Sequence, residues 1–305
     1  CSLVGADAYI TLNVAGLAPL DAFHWIEYCN MPKGTTSLTK LREKNGSPEP
    51  FNIKYWGIGN ENNEYGGLMT PEEYCGVYSR ITSLAQGNFQ GGVERSFATH
   101  TGGIAVKQVV SPSEVIASGP TWGDMGASRR FFESFSNRGH GWGAKRMDGY
   151  SLHCYTFASG GDKDFTEEQW YQTLYEATII EQVIHDHIAL LQEFDSKNHV
   201  KLCIDEWGNW VCFKNGMPEG KAFGYQLGTM RDALVASLSL NIFNNHCDYV
   251  KMATLTGLIN YIHSPFISDG KRMIVTPTYH VFDMMKGKKI VLGITGSIAA
   301  YKAAV

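Results

Sequence analysis

Short apolar runs alternate with longer amphipathic stretches along this chain, the pattern of strand–helix units built around a parallel sheet. Six runs read as buried strands: Ala8–Val14, Ile53–Gly59, Val115–Gly119, Gly149–Tyr155, Val200–Glu206 and Tyr249–Ala253. Helices are predicted at Leu20–Cys29, after Thr70, from Thr166 to about Phe194, and over Met230–Phe243. Two helix starts are explicit. Thr70 with Pro71 and Glu73, and Thr166 with Gln169, are capping boxes, in which the cap hydroxyl and the side chain three residues on satisfy each other's backbone N–H. Gly87–Pro112, rich in Gly, Ser and Thr, reads as a long surface excursion.

Such alternation fits either a closed βα barrel or an open doubly wound sheet. No glycine-rich phosphate loop follows the early strands, which favours the barrel. An eight-stranded barrel needs two more strands, and the chain opens at Cys1 without Met. The expected fold is therefore α/β, an incomplete (β/α)8 TIM barrel lacking its first two strands. Open strand edges predict that such a segment folds poorly by itself. At the other end, Lys289–Gly293, Thr295–Ser297 and Ile298–Val305 read as a strand, a tight turn and a helix start, a weak phosphate-cradle signal.

Composition narrows the partners. Hydrophobic residues make up 44% and charged residues 18%, ordinary for a globular protein. The net charge of -4 gives no reason to expect nucleic acid or an anionic membrane surface. No apolar run approaches the length of a membrane span. The seven cysteines are scattered without a Cys-x-x-Cys, so neither a disulfide framework nor a zinc site is expected. His185 and His187, two apart in a helical stretch, face different sides and read as solvated residues rather than a metal pair. Aromatics at 12% suit a sugar site, whose C–H faces stack on rings, but core packing explains them as well.

Two predicted strands end in a carboxylate with polar company, Ile58-Gly59-Asn60-Glu61 and Ile204-Asp205-Glu206-Trp207. Barrel enzymes carry their catalytic groups at such C-terminal strand ends. Glycoside hydrolysis needs one carboxyl to protonate the leaving oxygen and another to attack the anomeric carbon or activate water. Asp205 rivals Glu206, because adjacent strand residues point to opposite faces. Asn60 and Glu61 can share a site only where the strand end is irregular, which the flanking glycines permit. His153 and Tyr155, two apart, share a face.

Lys54–Glu61 (KYWGIGNE), Trp25–Cys29 (WIEYC), Ser151–Tyr155 (SLHCY), Ile204–Gly208 (IDEWG), Gly228–Phe243 (GTMRDALVASLSLNIF) and Thr276–Phe282 (TPTYHVF) resemble, in order, family 51 α-L-arabinofuranosidases. The resemblance implies a retaining double displacement with no cofactor and no metal. Glu61 then matches the acid/base after the fourth barrel strand, and Glu206 the nucleophile after the seventh. Asn60 matches the residue bonding the sugar 2-hydroxyl. His153 and Tyr155 match the pair that orients the nucleophile and contacts the sugar, and Trp210 an aromatic contact beyond it. The two carboxyls of a retaining enzyme stand about 5–5.5 Å apart, so an ionised Glu206 would keep Glu61 protonated.

The implied substrate is arabinose-substituted plant polysaccharide or its oligosaccharides, attacked at terminal non-reducing residues. Rival readings are an endo-acting glucanase or xylanase on the same barrel, and an inactive fragment. The sequence departs from the family in lacking the first two strands and the C-terminal β-sandwich, and in carrying Gly257 where the family commonly has Gln. The barrel segment is expected over residues 1–284. Residues 285–305 resemble the N-terminus of the bacterial phosphopantothenoylcysteine decarboxylase/synthase flavoprotein, too short a piece to hold a flavin, and read as a fusion or misassembly. The expected compartment is the cytoplasm, with export left open by the missing start. The resemblance leaves room for a homo-oligomer in the full-length protein.

Overall fold

The computed structural model describes residues 1, 5–89, 113–138, 147–213 and 219–285. The described chain divides into two compact units, one of Cys1–Pro120 with Gly126–Tyr150, the other of Thr121–Met125 with the described residues after Tyr150.

In the first unit the elements are β1 (Tyr9–Leu12), α1 (Pro19–Asn30), α2 (Ser37–Lys44), β2 (Tyr55–Ile58), α3 (Pro71–Phe89), β3 (Glu114–Ala117), α4 (Met125–Asn137) and the first residues of β4 (Gly149–Ala158). These strands are parallel neighbours in chain order, with Leu12 opposite Ile58, Ile58 opposite Ala117 and Ala117 opposite Tyr150. Every residue of β2 is buried, as a parallel strand covered on both faces requires. Leu12, Ile26, Trp56, Ile58 and Tyr78 form the core with Phe132 and Tyr150.

Two buried polar side chains fix the connections that sequence periodicity does not encode. Arg42 donates to the carbonyls of Tyr28, Met31, Ser47 and Pro48, joining the last turn of α1 to the loops either side of α2. Asn30 donates to Ile53 O and accepts from Ile53 N, both at 2.8 Å, which seats the start of β2 under the end of α1.

The second unit continues β4 and adds α5 (Glu167–Glu176), α6 (Ile179–Phe194), β5 (Lys201–Val211), α7 (Met230–Asn245), β6 (Val250–Ala253), a hairpin of β7 (Phe266–Ser268) and β8 (Met273–Val275), and α8 (Pro277–Met284). Here too β4, β5 and β6 lie in chain order, and β5 runs parallel to β6. Neither unit shows the reversal of strand order that marks a doubly wound sheet. Leu202, Ile204 and Trp207 of β5 and Val235, Ala236 and Phe243 of α7 are buried, and the Trp207 and Phe243 rings meet edge-on at 5.1 Å.

Three expectations are corrected. The helix predicted from Thr166 to about Phe194 is two helices, because Thr178 turns both its N–H and its hydroxyl onto Tyr175 O and interrupts the regular ladder. The excursion predicted from Gly87 starts later, since α3 runs to Phe89. His187 is buried rather than solvated: its Nδ1 lies 2.8 Å from Val183 O, and burial lowers its pKa. The strand, turn and helix predicted over 289–305, and residues 90–112 of the excursion, lie outside the described residues.

Candidate active site

The first unit presents Asn60 and Glu61 just past the end of β2. Gly59 has φ of 87° and Glu61 φ of 45°, so the backbone turns left-handed twice within three residues. For glutamate that conformation is uncommon and costs about 1–3 kcal/mol, a strain that persists only where the surroundings enforce it. They do so through the backbone. Glu61 O accepts from Glu64 N and Gly66 N, both at 2.9 Å, and Met69 N returns to Asn62 O at 2.7 Å. Side chains are excluded at two points: a Cβ on Gly66 would lie 1.7 Å from Asn60 O, and one on Gly59 2.4 Å from Asn62 Oδ1. The irregular strand end that Asn60 and Glu61 require is therefore built by glycine and turn hydrogen bonds. Both residues are half-buried.

Behind this turn, the buried Tyr74 of α3 donates its hydroxyl to Ile58 O and accepts from Ser118 N at 2.7 Å. One hydroxyl thus joins the ends of β2 and β3. The Thr70–Glu73 capping box, with Thr70 N to Glu73 Oε2 at 2.8 Å, starts the helix that carries it.

The second unit presents Glu206 on β5, with His153 and Tyr155 on β4. Tyr155 donates to Glu206 Oε2 at 2.7 Å, and His153 Nδ1 lies 3.6 Å from the same oxygen. Burial, then the neighbouring Glu206 charge, push the Tyr155 phenol far above its ordinary pKa, so it stays a donor at any physiological pH. Asp205 accepts the Ser151 hydroxyl and stands 3.5 Å from His153 Nε2. One imidazole therefore lies between two adjacent carboxylates that strand alternation assigned to opposite faces. Burial also raises the Cys154 thiol, to about 12, which leaves it a neutral neighbour.

Trp210 is carried by an extension of β5 that the sequence pattern does not predict. Gln226 acts as a substitute strand partner there, accepting from Val211 N and donating to Asn209 O, both at 2.9 Å. Asn209 N donates to His263 Nδ1 at 2.8 Å and Asn209 Nδ2 to Asp232 Oδ1 at 2.7 Å. Asp232 Oδ2 in turn accepts from Thr229 N, closing the N-terminus of α7. His263 is wholly buried, and burial lowers its pKa, consistent with a neutral ring accepting at Nδ1.

Trp210 meets Tyr155 edge-on at 5.0 Å, and the rings continue outward through Phe157, Trp122 and Phe223. Trp122, Phe157 and Phe223 are 47%, 39% and 65% exposed. Sequence reasoning missed these three. The i, i+2 spacing of Tyr155 and Phe157 was the available signal for one of them; Trp122 and Phe223 come from loops that strand spacing does not register.

Comparison with solved structures places the fold. The GH51 arabinofuranosidase from Xanthomonas axonopodis pv. citri matches 92% of this chain with a TM-score of 0.76 at 31% identity, over 52% of its own length. The α-L-arabinofuranosidase from Thermotoga maritima, solved as an arabinose complex, matches 93% of the chain and 50% of its own, with a TM-score of 0.70 at 25% identity. The fold is thus an incomplete (β/α)8 barrel of the glycoside hydrolase class.

Family profiles and curated relatives narrow the class. The profile described as "Alpha-L-arabinofuranosidase 1 domain" matches residues 8–98, and "Alpha-L-arabinofuranosidase C-terminal domain" matches residues 205–295. An intracellular exo-α-L-arabinofuranosidase of Bacteroides ovatus is 32% identical over 292 residues, covering 94% of this chain and 51% of the relative. A probable α-L-arabinofuranosidase C of Aspergillus fumigatus is 29% identical, covering 94% and 53%. This chain belongs to the family 51 α-L-arabinofuranosidases as a segment. It spans about half the length of the curated relatives it matches.

Proposed function

We propose that the chain is the catalytic-barrel segment of an exo-acting α-L-arabinofuranosidase that removes terminal non-reducing arabinofuranosyl residues with retention of configuration. The observation that carries this reading is the seat of Glu206: a permanently protonated Tyr155 donates to its carboxylate, with His153 beside the same oxygen. A hydrogen bond to the charged form keeps a carboxylate ionised, the state a nucleophile needs. Glu206 attacks the anomeric carbon while Glu61 gives its proton to the leaving oxygen. In the second step Glu61 takes a proton from water, and the water carbon–oxygen bond replaces the one to Glu206.

Asn60, on the same turn as Glu61, is assigned the sugar 2-hydroxyl. Trp210 and the exposed rings around Tyr155 offer flat apolar faces for sugar C–H groups, which supports a carbohydrate substrate. The compartment we assign is the cytoplasm. Its support is the Bacteroides ovatus relative, named intracellular, and no described helix is long and apolar enough to cross a membrane. The division into a barrel segment over 1–284 and a foreign piece over 285–305 remains our reading of the sequence.

The test is hydrolysis of an aryl α-L-arabinofuranoside followed by proton NMR before mutarotation. The α-anomer is the expected first product. The β-anomer as first product, or activity on carboxymethylcellulose with none on the arabinofuranoside, would overturn the proposal.

A further inference from the structure

On the second unit, α6 and the end of α7 bring three metal-ligating side chains together outside the catalytic residues. Glu181 and His185 are four apart on α6, so they stand one above the other on one face. His246 is the C-cap residue of α7. One ligand atom from each of the three lies within 4.8 Å of the other two. The His185 and His246 rings meet nearly at right angles, with centroids 4.6 Å apart.

Two further observations point to a ligand. The Nε2 of His246 is buried and makes no hydrogen bond among the described residues, although its nearest carboxylate oxygen, Glu181 Oε1, is only 3.5 Å away. A buried nitrogen without a partner is destabilising, and a bound cation would supply the partner. A spacing of 3.5 Å is long for a hydrogen bond, yet it is close to the separation of two ligands on a tetrahedral ion with bonds of about 2.0–2.2 Å. Second, α7 has no basic residue in its last turn, so a cation beside His246 would meet the negative end of the helix dipole with no side-chain charge competing for it.

We propose that Glu181, His185 and His246 form a binding site for a zinc-class divalent cation that ties α6 to the end of α7. Two imidazoles and one carboxylate suit Zn²⁺, Co²⁺ or Ni²⁺ and do not suit Ca²⁺ or Mg²⁺, which take oxygen ligands. Three protein ligands leave one tetrahedral position for water. The spacing of His185 and His187 hid the site from sequence reasoning, since the partners of His185 are Glu181 on its own helix and a residue 61 positions away.

The experiment is Zn²⁺ titration by calorimetry of the tag-free full chain, repeated with Co²⁺ while recording its visible d–d absorption. Saturable, stoichiometric binding with the intense bands of four-coordinate Co²⁺ is expected. His185→Gln and Glu181→Gln, both on the accessible face of α6, should each weaken Zn²⁺ by at least about tenfold, and His246→Asn likewise. Zn²⁺ should raise the melting temperature of the parent and leave that of His185→Gln unmoved. Absence of saturable binding, or equal affinity in parent and variants, would overturn the proposal whatever the outcome of the arabinofuranoside assay.

Discussion

At the end of β2 the chain itself bends: two left-handed residues and a run of turn hydrogen bonds set the backbone of Asn60 and Glu61, with Gly59 and Gly66 standing where a Cβ would not fit. Midway along β5 the backbone stays extended through Glu206, and its carboxylate is held instead by the side chain of Tyr155, with His153 beside it. The difference matches the chemistry proposed for each. The residue proposed to pass a proton both ways is set by its backbone and half-buried. A residue that must remain anionic until it attacks is buried beside a donor that cannot ionise. Backbone-set and side-chain-set positions should fail differently, and the variants below separate them.

The largest effect is expected at the side-chain-set carboxylate. Glu206→Ala should lower turnover by about 10⁴-fold or more, since it removes the attacking atom. Asp205→Asn should be far milder, because Asp205 bonds Ser151 rather than Tyr155. Steady-state rates on an aryl arabinofuranoside decide this, and a reversed order would sink the assignment of Glu206. Next, Glu61→Ala should cost about 10²–10⁴-fold on arabino-oligosaccharides but much less on substrates with good leaving groups, which need little protonation. Equal losses on both substrates would show that Glu61 is not the acid.

Tyr155→Phe should reduce kcat by about 10- to 100-fold, the worth of one hydrogen bond to a charge, with KM moving less. An unchanged kcat would mean that the 2.7 Å contact does not tune Glu206.

The smallest effect is on stability. Burial depresses the pKa of His263 and His187 in the native state, while the unfolded chain keeps a value of about 6.5. Below that value the unfolded chain takes up protons that the native rings refuse. The stability these groups contribute is therefore present above about pH 6.5 and is lost as pH falls. Melting temperature should drop between about pH 7 and 5, and His263→Gln should flatten that slope even if it lowers the plateau. A slope unchanged in the variant would contradict this assignment.

Most of the scaffold was legible from the residues. All six predicted strands occur, their starts within two residues of expectation, because short buried apolar runs flanked by polar turns admit few alternatives; β4 and β5 run on past the predicted ends to Ala158 and Val211. The capping boxes located the starts of α3 and α5 because cap chemistry is local. What escaped was made by side chains acting as backbone. Gln226 lengthened β5 past Glu206, Arg42 organised the α2 loops, and Thr178 cut one amphipathic helix into two. No periodicity announces such substitutions. At the site, same-face spacing brought His153 and Tyr155 to Glu206, whereas the approach of Asp205 to the same imidazole depends on where β4 lies beside β5, which strand alternation alone does not give.

The claim that Glu206 is the nucleophile is tested most directly by trapping. A 2-deoxy-2-fluoro arabinofuranosyl donor with a good leaving group should form a covalent glycosyl-enzyme that turns over slowly, because fluorine destabilises the oxocarbenium-like transition state of both steps. Peptide mass spectrometry after proteolysis should then find the sugar on Glu206, with none on Asp205 or Glu61. A sugar carried by either of those carboxylates, or rapid turnover with inversion and no adduct, would contradict the account.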